Sequence, residues 1–518
     1  MKRKRILTQF LLYFLMLMFL IVAGCSSGGS DDDDDDQNQQ GPTVSISGTV
    51  TDAAGNPISG VVMSIGISFE VANITLWEGA IQSTLASPII TNDTGSFSFP
   101  FPIALLDKYT VVLTPAKKGY TFSPSDRRIP VQTTNITGQN FTATAVSAFI
   151  QRELAGIWRM NLLRAGADAR WVRARLHIDA DGKATCLSMY DSDDPTTNIC
   201  PAKPTDFDLT LEMDGEGVIK QYGASAVSDN GYMTMNSRKN FAAGTGTNGD
   251  GSPQLMIVQK DTAVDGAQTS HYIPADVQNK GFVFHSLSVG TANAWRYGNG
   301  ATDATGLITM TAEEDPAGDA LATSVLNGST ITLGVDGVVT IADAVGAVPG
   351  FEGFMSVDER TIVGTFTDAA GAQQLIVIQI GSGADELTGM SYNNLMAVNN
   401  TEAFWARHEI NVSRLDTSIV PDIKGLYFYL DIMLSYEWNF SPALGYTQLQ
   451  RLAYMNIQKL NINNIGEVTF TNNTANARGN VFFHGQTSND GTFMVGVSTF
   501  NVLDAEAGDY YALNVITH

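Results

Sequence analysis

The sequence contains few cysteines and few positive charges. Cysteine occurs at three of 518 positions, Cys25, Cys186 and Cys200, which excludes a disulfide-dense scaffold. Lys and Arg number 30 against 53 Asp and Glu, giving a formal net charge of −23. Because phosphate backbones repel an acidic chain, nucleic acid is not expected as a partner.

The motifs of the common enzyme classes are also missing. None of the six histidines has the spacing of a zinc-protease helix, and no G-x-S-x-G elbow, P-loop or dinucleotide fingerprint occurs. We therefore expect a non-enzymatic protein without a cofactor. Glycosidase carboxylates come from distant parts of a chain, so an envelope polysaccharide hydrolase with paired carboxylates stays an open alternative.

Glycine is abundant, with 49 residues, and only 16% of the chain is charged. Short runs that alternate apolar and polar residues are separated by turns rich in Gly, Asp and Asn. This period-two pattern predicts antiparallel strands, so the predicted fold class is all-β.

The N-terminus has the pattern of a secretory signal peptide. A basic start, MKRKR, precedes an apolar run over 10–22 and then Ala23-Gly24-Cys25. The end of this run resembles the lipobox of bacterial lipoproteins, which implies cleavage before Cys25 and a lipid on its side chain. Residues 1–24 are then the signal peptide. The alternative is a transmembrane anchor with an incidental cysteine.

Residues 25–42 include six consecutive aspartates, Asp31 to Asp36, and almost no apolar side chains. Such a segment cannot bury enough apolar surface to fold, so we expect a disordered acidic tether. Acidic stretches after the lipidated cysteine resemble those of surface-exposed lipoproteins, while a plain spacer is the alternative. Ser26 resembles the pattern of lipoproteins sent to the outer membrane. We therefore expect an envelope protein, facing either the surface or the periplasm.

Residues 43–145 predict a small β-sandwich of about seven strands. Its markers are Gly48-x-Val50, a turn at Asp52 to Pro57, DTGSF from Asp93 and YTV from Tyr109. The module resembles the carboxypeptidase regulatory-like family, a transthyretin-type sandwich grouped with carbohydrate-binding-like folds. That resemblance implies a spacer or accessory module and identifies no ligand.

Residues 146–518 contain three similar copies that begin near Gly156, Gly281 and Gly389. Each copy has a leucine six residues after the glycine (Leu162, Leu287, Leu395) and a tryptophan 14 to 16 residues after it (Trp171, Trp295, Trp405). Recurrence at one position predicts that these tryptophans are structural and buried. Such self-similarity indicates one supersecondary unit in three copies.

About eight strands per copy allow two arrangements. Two four-stranded blades per copy would build a six-bladed propeller, which the close abutment of the copies favours. The alternative is three tandem eight-stranded barrels, and the start Gly156-x-Trp158 resembles the first strand of lipocalin-like barrels.

Cys186 and Cys200 are the two cysteines left after lipidation. In an oxidising envelope compartment they predict a disulfide that closes a 14-residue loop. The loop contains Asp191, Asp193 and Asp194, whose oxygens are candidate calcium ligands, but no known calcium-loop register is matched and a polar turn is the favoured explanation.

Together these features predict a lipid-anchored envelope protein that binds or scaffolds a protein or glycan. A structural subunit of an outer-membrane assembly is a further alternative. The ligand-binding residues cannot be assigned from the sequence.

Overall fold

The computed structural model describes residues 43–68, 89–102, 110–117, 119–129, 134–145, 149–203, 206–225, 229–261, 272–343, 350–384, 389–400, 402–414, 426–433, 437–439, 454–462, 465–471, 480–501 and 509–518. The predicted signal peptide, Cys25 and the acidic tether lie outside these residues. Among the described residues no helix has the length and apolar character needed to cross a membrane. The described structure is all-β, which confirms the predicted fold class.

The first module has eight strands, one more than predicted. They are β1 (Thr43–Asp52), β2 (Val62–Ser68), β3 (Ile89–Ile90), β4 (Ser96–Pro102), β5 (Thr110–Ala116), β6 (Tyr120–Ser123), β7 (Arg127–Ile129) and β8 (Phe141–Ala145).

These strands form two four-stranded sheets, in the orders β4-β1-β8-β6 and β3-β2-β5-β7. Ile46 and Phe99 of the first sheet share one buried core with Leu113 and Ile129 of the second, so the sheets pack face to face. The turn after β1 is held by the Asp52 carboxylate, which accepts the backbone N–H groups of residues 54 and 56. Such an Asx turn fits the Asp/Gly/Asn/Pro composition read from the sequence.

The repeat region forms three sheets. The first contains β9 (Gly156–Arg164), β10 (Arg170–Ile178), β11 (Ala184–Asp191), β12 (Thr210–Met213), β13 (Val218–Tyr222), β14 (Asp229–Met235), β15 (Phe241–Thr247) and β16 (Pro253–Lys260). The second contains β17 (Gly281–Val289), β18 (Ala294–Thr302), β19 (Ile308–Asp315), β20 (Gly318–Asp319), β21 (Ser329–Leu333), β22 (Val338–Asp343), β23 (Phe351–Met355), β24 (Thr361–Thr367) and β25 (Gln373–Ile380). The third contains β26 (Gly389–Val398), β27 (Ala403–Arg414), β28 (Leu426–Met433), β29 (Glu437–Asn439), β30 (Tyr454–Ile462), β31 (Glu467–Thr471), β32 (Asn480–Thr487), β33 (Phe493–Asn501) and β34 (Asp509–Thr517). Short 3₁₀ turns lie at Gln151–Leu154, Pro274–Asp276 and Leu321–Thr323.

Each copy is a single curled sheet, and the favoured six-bladed propeller is therefore wrong. The first strand of each copy pairs with the last, β9 with β16, β17 with β25 and β26 with β34, which joins all strands of a copy edge to edge. A propeller would need a break between two four-stranded blades. The two edges of each sheet also meet, which closes the sheet into a barrel. They are joined by a backbone bridge between Lys183 and Thr210 in the first copy and between Leu307 and Thr330 in the second, and by the β26–β27 ladder in the third. This is the tandem-barrel alternative, and we name the copies barrels 1, 2 and 3.

The three barrels share one apolar core in addition to their own interiors. Buried residues from all three, including Leu163, Leu287 and Met396, belong to a single cluster. Trp171, Trp295 and Trp405 are all at most 3% exposed, which confirms that the repeat tryptophans are buried.

Each tryptophan donates its indole N–H to a threonine hydroxyl of the next barrel. The bonds are Trp171 to Thr367 at 3.0 Å, Trp295 to Thr499 at 2.7 Å and Trp405 to Thr247 at 2.8 Å. The three contact faces marked by these bonds are called seam 1–2, seam 2–3 and seam 3–1. The pattern runs head to tail and returns to its start, which is the arrangement of a closed ring.

The strand pairing corrects the alignment of the copies read from the sequence. Trp171 pairs with Leu163, Trp295 with Leu287 and Trp405 with Met396. Leu162 and Leu395 are therefore displaced by one residue from the position of Leu287. Because successive side chains point to opposite faces of a strand, both leucines lie inside their own barrels rather than in the shared core.

Candidate ligand site inside the third barrel

The inward-facing side chains of the first strand differ sharply between the barrels. In barrel 1 they include Trp158 and Met160, and in barrel 2 the same positions carry Phe282 and Phe284, all within the apolar barrel cores. Strand alternation places Ser391 and Asn393 at these positions in barrel 3. Small polar side chains therefore replace large apolar ones.

The last two strands of each barrel repeat this exchange. Met256 of barrel 1 and Ile376 of barrel 2 correspond to Asn514 of barrel 3, since each pairs with the central glycine of the preceding strand. Two residues beyond that glycine, barrel 2 has the core residue Phe366 and barrel 3 has Ser498. Ser391, Asn393, Ser498 and Asn514 are hereafter called the polar set.

Asn393, Asn514 and Ser498 form a hydrogen-bonded row. The amide nitrogen of Asn393 donates to the amide oxygen of Asn514 at 3.1 Å, and the amide nitrogen of Asn514 donates to the Ser498 hydroxyl at 2.9 Å. Ser391 Oγ lies 3.3 Å from Nδ1 of His518. All four members are at most 7% exposed, so these groups bond to protein groups rather than to solvent.

One acceptor of the row has no partner. Asn393 Oδ1 is buried and makes no hydrogen bond to the described residues. Leaving a buried amide oxygen unpaired costs about 1–3 kcal/mol, so a donor group from a ligand would be stabilising here. The backbone of His408 pairs with that of Asn393 across the ladder.

Two aromatic rings share the interior of barrel 3 with the polar set, because Tyr510 and Leu395 of their cluster alternate in step with Asn514 and Asn393. Phe404 and Tyr510 meet edge to face, with ring centroids 5.1 Å apart, in a cluster that also contains Leu395 and Ala512. The Tyr510 hydroxyl donates to the Glu402 carboxylate at 2.7 Å. Burial, followed by this bond to Glu402, raises the pKa of Tyr510, so the phenol is neutral at physiological pH.

The interiors of barrels 1 and 2 are filled by their own side chains. Barrel 1 contains a cavity of about 30 Å³ lined by apolar residues such as Trp158 and Met256. Barrel 2 contains one of about 10 Å³ beside Phe282. A single water needs about 10–15 Å³, so neither cavity has room for a ligand of sugar size. Eight-stranded barrels are commonly filled in this way.

The two cysteines predicted to pair lie together. Their Sγ atoms are bonded and their Cα atoms are 5.7 Å apart, which joins β11 to the loop that follows it. The backbone N–H of Ile199 also donates to the carbonyl of Met189, so the loop packs back along the strand. Oxidation of this pair in the native compartment stays a prediction.

The three aspartates of this loop make local contacts. Asp191 Oδ1 accepts the backbone N–H groups of Asp193 and Asp194. Arg170 lies 3.5 Å from the Asp191 carboxylate and 3.2 Å from that of Asp193. The hydroxyls and N–H groups of Thr197 and Thr196 lower the pKa of Asp194 to about 2.

Across the described part of the chain no three His, Cys, Asp or Glu side chains converge to hold a metal ion. Calcium binding by the loop stays an untested prediction. A bound ion would have to displace the contacts that the aspartates already make with Arg170 and with their own backbone.

No protein-family model matches the sequence, and no curated protein matches it either. Among solved structures, a single-residue mutant of transferrin binding protein B from Haemophilus parasuis is 9% identical, with 95% of this chain and 99% of that chain covered and a TM-score of 0.20. The isotype 1 transferrin binding protein B from serogroup B Neisseria meningitidis is 10% identical, with 67% and 63% covered and a TM-score of 0.19. At such TM-scores the backbones do not superpose as wholes, and no conclusion about this chain follows.

Proposed function

We propose that the chain is a lipid-anchored, non-enzymatic envelope protein that binds a neutral, hydroxyl-rich ligand of the glycan class inside barrel 3. The observation that carries the proposal is the polar set. At these positions barrels 1 and 2 have Trp, Phe, Met or Ile, except that barrel 1 has Gly246 where barrel 3 has Ser498, whereas barrel 3 has two asparagines and two serines. Within the set Asn393 Oδ1 has no hydrogen-bond partner among the described residues, and a buried unpaired polar atom costs free energy, which favours a binding role over a structural one.

The chemistry of the polar set suits a sugar. Asparagine amides present both donors and acceptors, and serine hydroxyls present both as well, which matches the hydroxyl groups of a glycan. None of the four carries a charge, so an ionic ligand would lose its hydration without gaining a counter-charge. Ligand pockets usually combine apolar and aromatic surface with a few polar groups. In barrel 3 the rings of Phe404 and Tyr510 supply the aromatic surface.

The anchoring part of the proposal rests on the sequence. The Ala23-Gly24-Cys25 lipobox pattern supports a lipid on Cys25, and the acidic tether would hold the folded modules away from the membrane. The sandwich of β1 to β8 would act as a spacer between tether and barrels. Outer-membrane localisation, on either face, belongs to the same proposal.

The experiment is a glycan-array screen of the mature chain in detergent, followed by titration calorimetry with each neutral oligosaccharide that binds. Asn393→Met and Asn514→Met place in barrel 3 the side chains that barrel 1 carries at the same positions. Both should abolish binding, because they remove the hydrogen-bonding groups and fill the space with an apolar side chain. Stability should be kept or rise, since an apolar side chain replaces a buried amide.

The matched control is Asn299→Met, the same exchange at an exposed position of β18 in barrel 2. It should bind like the parent chain. Parent-like binding by both barrel 3 variants would exclude barrel 3 as the site, while a parent chain that binds no glycan would refute the proposed ligand class.

A protein ligand is a second candidate, favoured by an apolar pair on barrel 1. Leu187 and Ile199 are 41% and 42% exposed on β11 and the loop joined to it by the Cys186–Cys200 bond. Each stands one residue from a cysteine of that bond, and clustered exposed apolar side chains are typical of protein contacts. Leu187→Ser combined with Ile199→Ser should reduce cross-linking of a partner on intact cells and leave glycan binding unchanged.

A further inference from the structure

A chain of hydrogen bonds leads from the surface into seam 2–3. His285 on β17 and His484 on β32 approach with Nε2 and Nδ1 3.0 Å apart, and His484 Nε2 lies 3.0 Å from the Glu467 carboxylate on β31. His285 is fully buried, His484 is 6% exposed and the Glu467 side chain is 40% exposed. The first residue belongs to barrel 2 and the other two belong to barrel 3.

The geometry fixes the proton positions of the neutral state. The Glu467 carboxylate can only accept, so His484 carries its proton on Nε2 and presents Nδ1 as an acceptor. His285 must then carry its proton on Nε2 and donate it to that atom. The remaining nitrogen, His285 Nδ1, is an acceptor without a hydrogen-bond partner among the described residues.

An added proton has no favourable place in this arrangement. On His285 Nδ1 it would form a buried N–H without an acceptor, which is costly. On His484 Nδ1 it would face the N–H of His285 at 3.0 Å, and two donors repel each other. The closed seam therefore binds a proton less well than two histidines exposed to water.

The surroundings of the pair provide little compensation. The ring of Tyr297 on β18 stacks on His484 with centroids 3.8 Å apart, and its hydroxyl is bonded to Glu314 on β19. From β25 and β32 the buried groups are the uncharged amides of Gln379 and Gln486. Of the charged groups named, the Glu467 carboxylate is the one that would attract an added proton, and solvent screens it because its side chain is 40% exposed. Glu314 is engaged by Tyr297. Burial, followed by the neighbouring His484, lowers the pKa of His285 well below its ordinary value.

The equivalent positions of the other two seams hold no histidine. Register places Asn161 and Asn394 where barrel 2 has His285, and both are fully buried. Asn161 donates across seam 1–2 to the carbonyl of Val363, and Asn394 donates across seam 3–1 to Thr234. These amides do not change charge with pH.

We propose that seam 2–3 is an acid-labile joint, which opens when the Glu467–His484–His285 chain takes up a proton while seams 1–2 and 3–1 stay closed. Histidines exposed to water bind protons as the pH falls below about 6.5. The open state therefore binds more protons than the closed state below that pH. The seam has its full stability above this pH and loses it as the pH falls. For each extra proton that the open state binds, the equilibrium constant for opening rises about tenfold per pH unit.

The test is amide hydrogen exchange of the full-length mature chain at pH 7, 6 and 5, corrected for intrinsic exchange with an unfolded reference peptide. Opening of peptides from β17 and β32 should increase up to about tenfold per pH unit below 6.5. Peptides from β9 and β24, which face each other across seam 1–2, are the internal control. They should show no such increase over this range.

The decisive variant is His285→Asn, which introduces the residue that barrels 1 and 3 carry at this position. It should remove the pH dependence of β17 and β32 exchange between pH 7 and 5. His484→Tyr, which copies Tyr232 of barrel 1, should do the same. Because both readouts are ratios between pH values, a variant with a weaker seam still gives a valid result.

Equal pH dependence at β17 and β9 in the parent chain would overturn the proposal. So would an unchanged pH dependence in the two variants. If a variant does not fold, the comparison of β17 with β9 in the parent chain alone decides the outcome.

Discussion

Seam 1–2 and seam 2–3 use the same positions for different chemistry. Across seam 1–2 Arg173 pairs with Glu352 at 3.5 Å, while across seam 2–3 the equivalent residues are Tyr297 and His484, whose rings stack at 3.8 Å. Seam 3–1 has a third solution, with the Arg407 guanidinium 3.2 Å from the ring centroid of Tyr232. The indole-to-threonine bond, in contrast, is the same in all three.

The comparison distinguishes the contacts that position neighbouring barrels from the contacts that differ between seams. The tryptophan, its threonine and the shared apolar core recur at every seam, so they determine how neighbouring barrels meet. The other pair of side chains at each seam, here called the divergent pair, is an ion pair in seam 1–2, an aromatic stack in seam 2–3 and a cation–π contact in seam 3–1, while the indole-to-threonine bond is kept. Each seam can therefore acquire its own response to salt and pH.

The largest expected effect is on the shared part of the seams. Trp295→Ala should lower the free energy of unfolding of the barrel region by about 3–5 kcal/mol, because it removes a buried indole and its bond to Thr499. Guanidinium denaturation followed by circular dichroism measures the change.

Trp171→Ala and Trp405→Ala should cost similar amounts, since the same contacts are lost at each seam. A Trp295→Ala chain that unfolds like the parent would contradict the buried role, especially if iodide quenches the parent's indole fluorescence efficiently.

A smaller effect is expected for the divergent part of seam 1–2. Glu352→Gln should cost about 1–2 kcal/mol, because Arg173 is 5% exposed and loses its counter-charge, while the new amide oxygen and the carbonyl of Gly350 at 3.3 Å remain as weaker, neutral acceptors. The Glu352 side chain is 37% exposed, so solvent screening reduces the loss below that of a fully buried pair. Urea denaturation at low and high salt measures it.

The control is Glu212→Gln on β12, which exchanges an exposed glutamate of barrel 1. It should change stability by less than about 0.5 kcal/mol. An equal loss in both variants would show that the Arg173–Glu352 pair adds nothing specific to seam 1–2.

Local patterns were sufficient to predict the all-β class and the buried tryptophans. The order of the strands was not, because the pairing of β9 with β16 joins residues about 100 positions apart, and alternation within each strand is the same in a blade and a barrel. The alignment of the copies by Leu162, Leu287 and Leu395 was off by one residue. Such a slip exchanges the two faces of a strand, and it hid which side chains point into each barrel.

The candidate site shows the consequence. Asn393 and Asn394 are neighbours in sequence and look alike, yet Asn393 belongs to the interior of barrel 3 and Asn394 to seam 3–1. Aligning the copies on Leu163, Leu287 and Met396 would have shown that Met160 and Phe284 correspond to an asparagine. The signal was present in the sequence, but only the ladder register reveals it.

The smallest expected effect tests whether the three seams are alike in their shared part. Thr247→Val, Thr367→Val and Thr499→Val each remove the acceptor of one indole N–H and keep the shape of the side chain. All three indoles are buried, so each loss should cost about 0.5–1.5 kcal/mol, the usual contribution of one hydrogen bond, and more where the orphaned N–H stays unsolvated. Thr247→Val and Thr499→Val should agree within about 0.5 kcal/mol, and Thr367→Val should cost more because the Thr367 hydroxyl also donates to Gln373 at 2.9 Å. The changes should be additive in the triple variant, since distant sites act independently. Stabilities are measured by urea denaturation at pH 7, above the range in which seam 2–3 is expected to open, so that proton uptake does not add to the comparison. A threonine whose loss costs nothing while the other two are costly would show that its seam is held by the divergent pair instead.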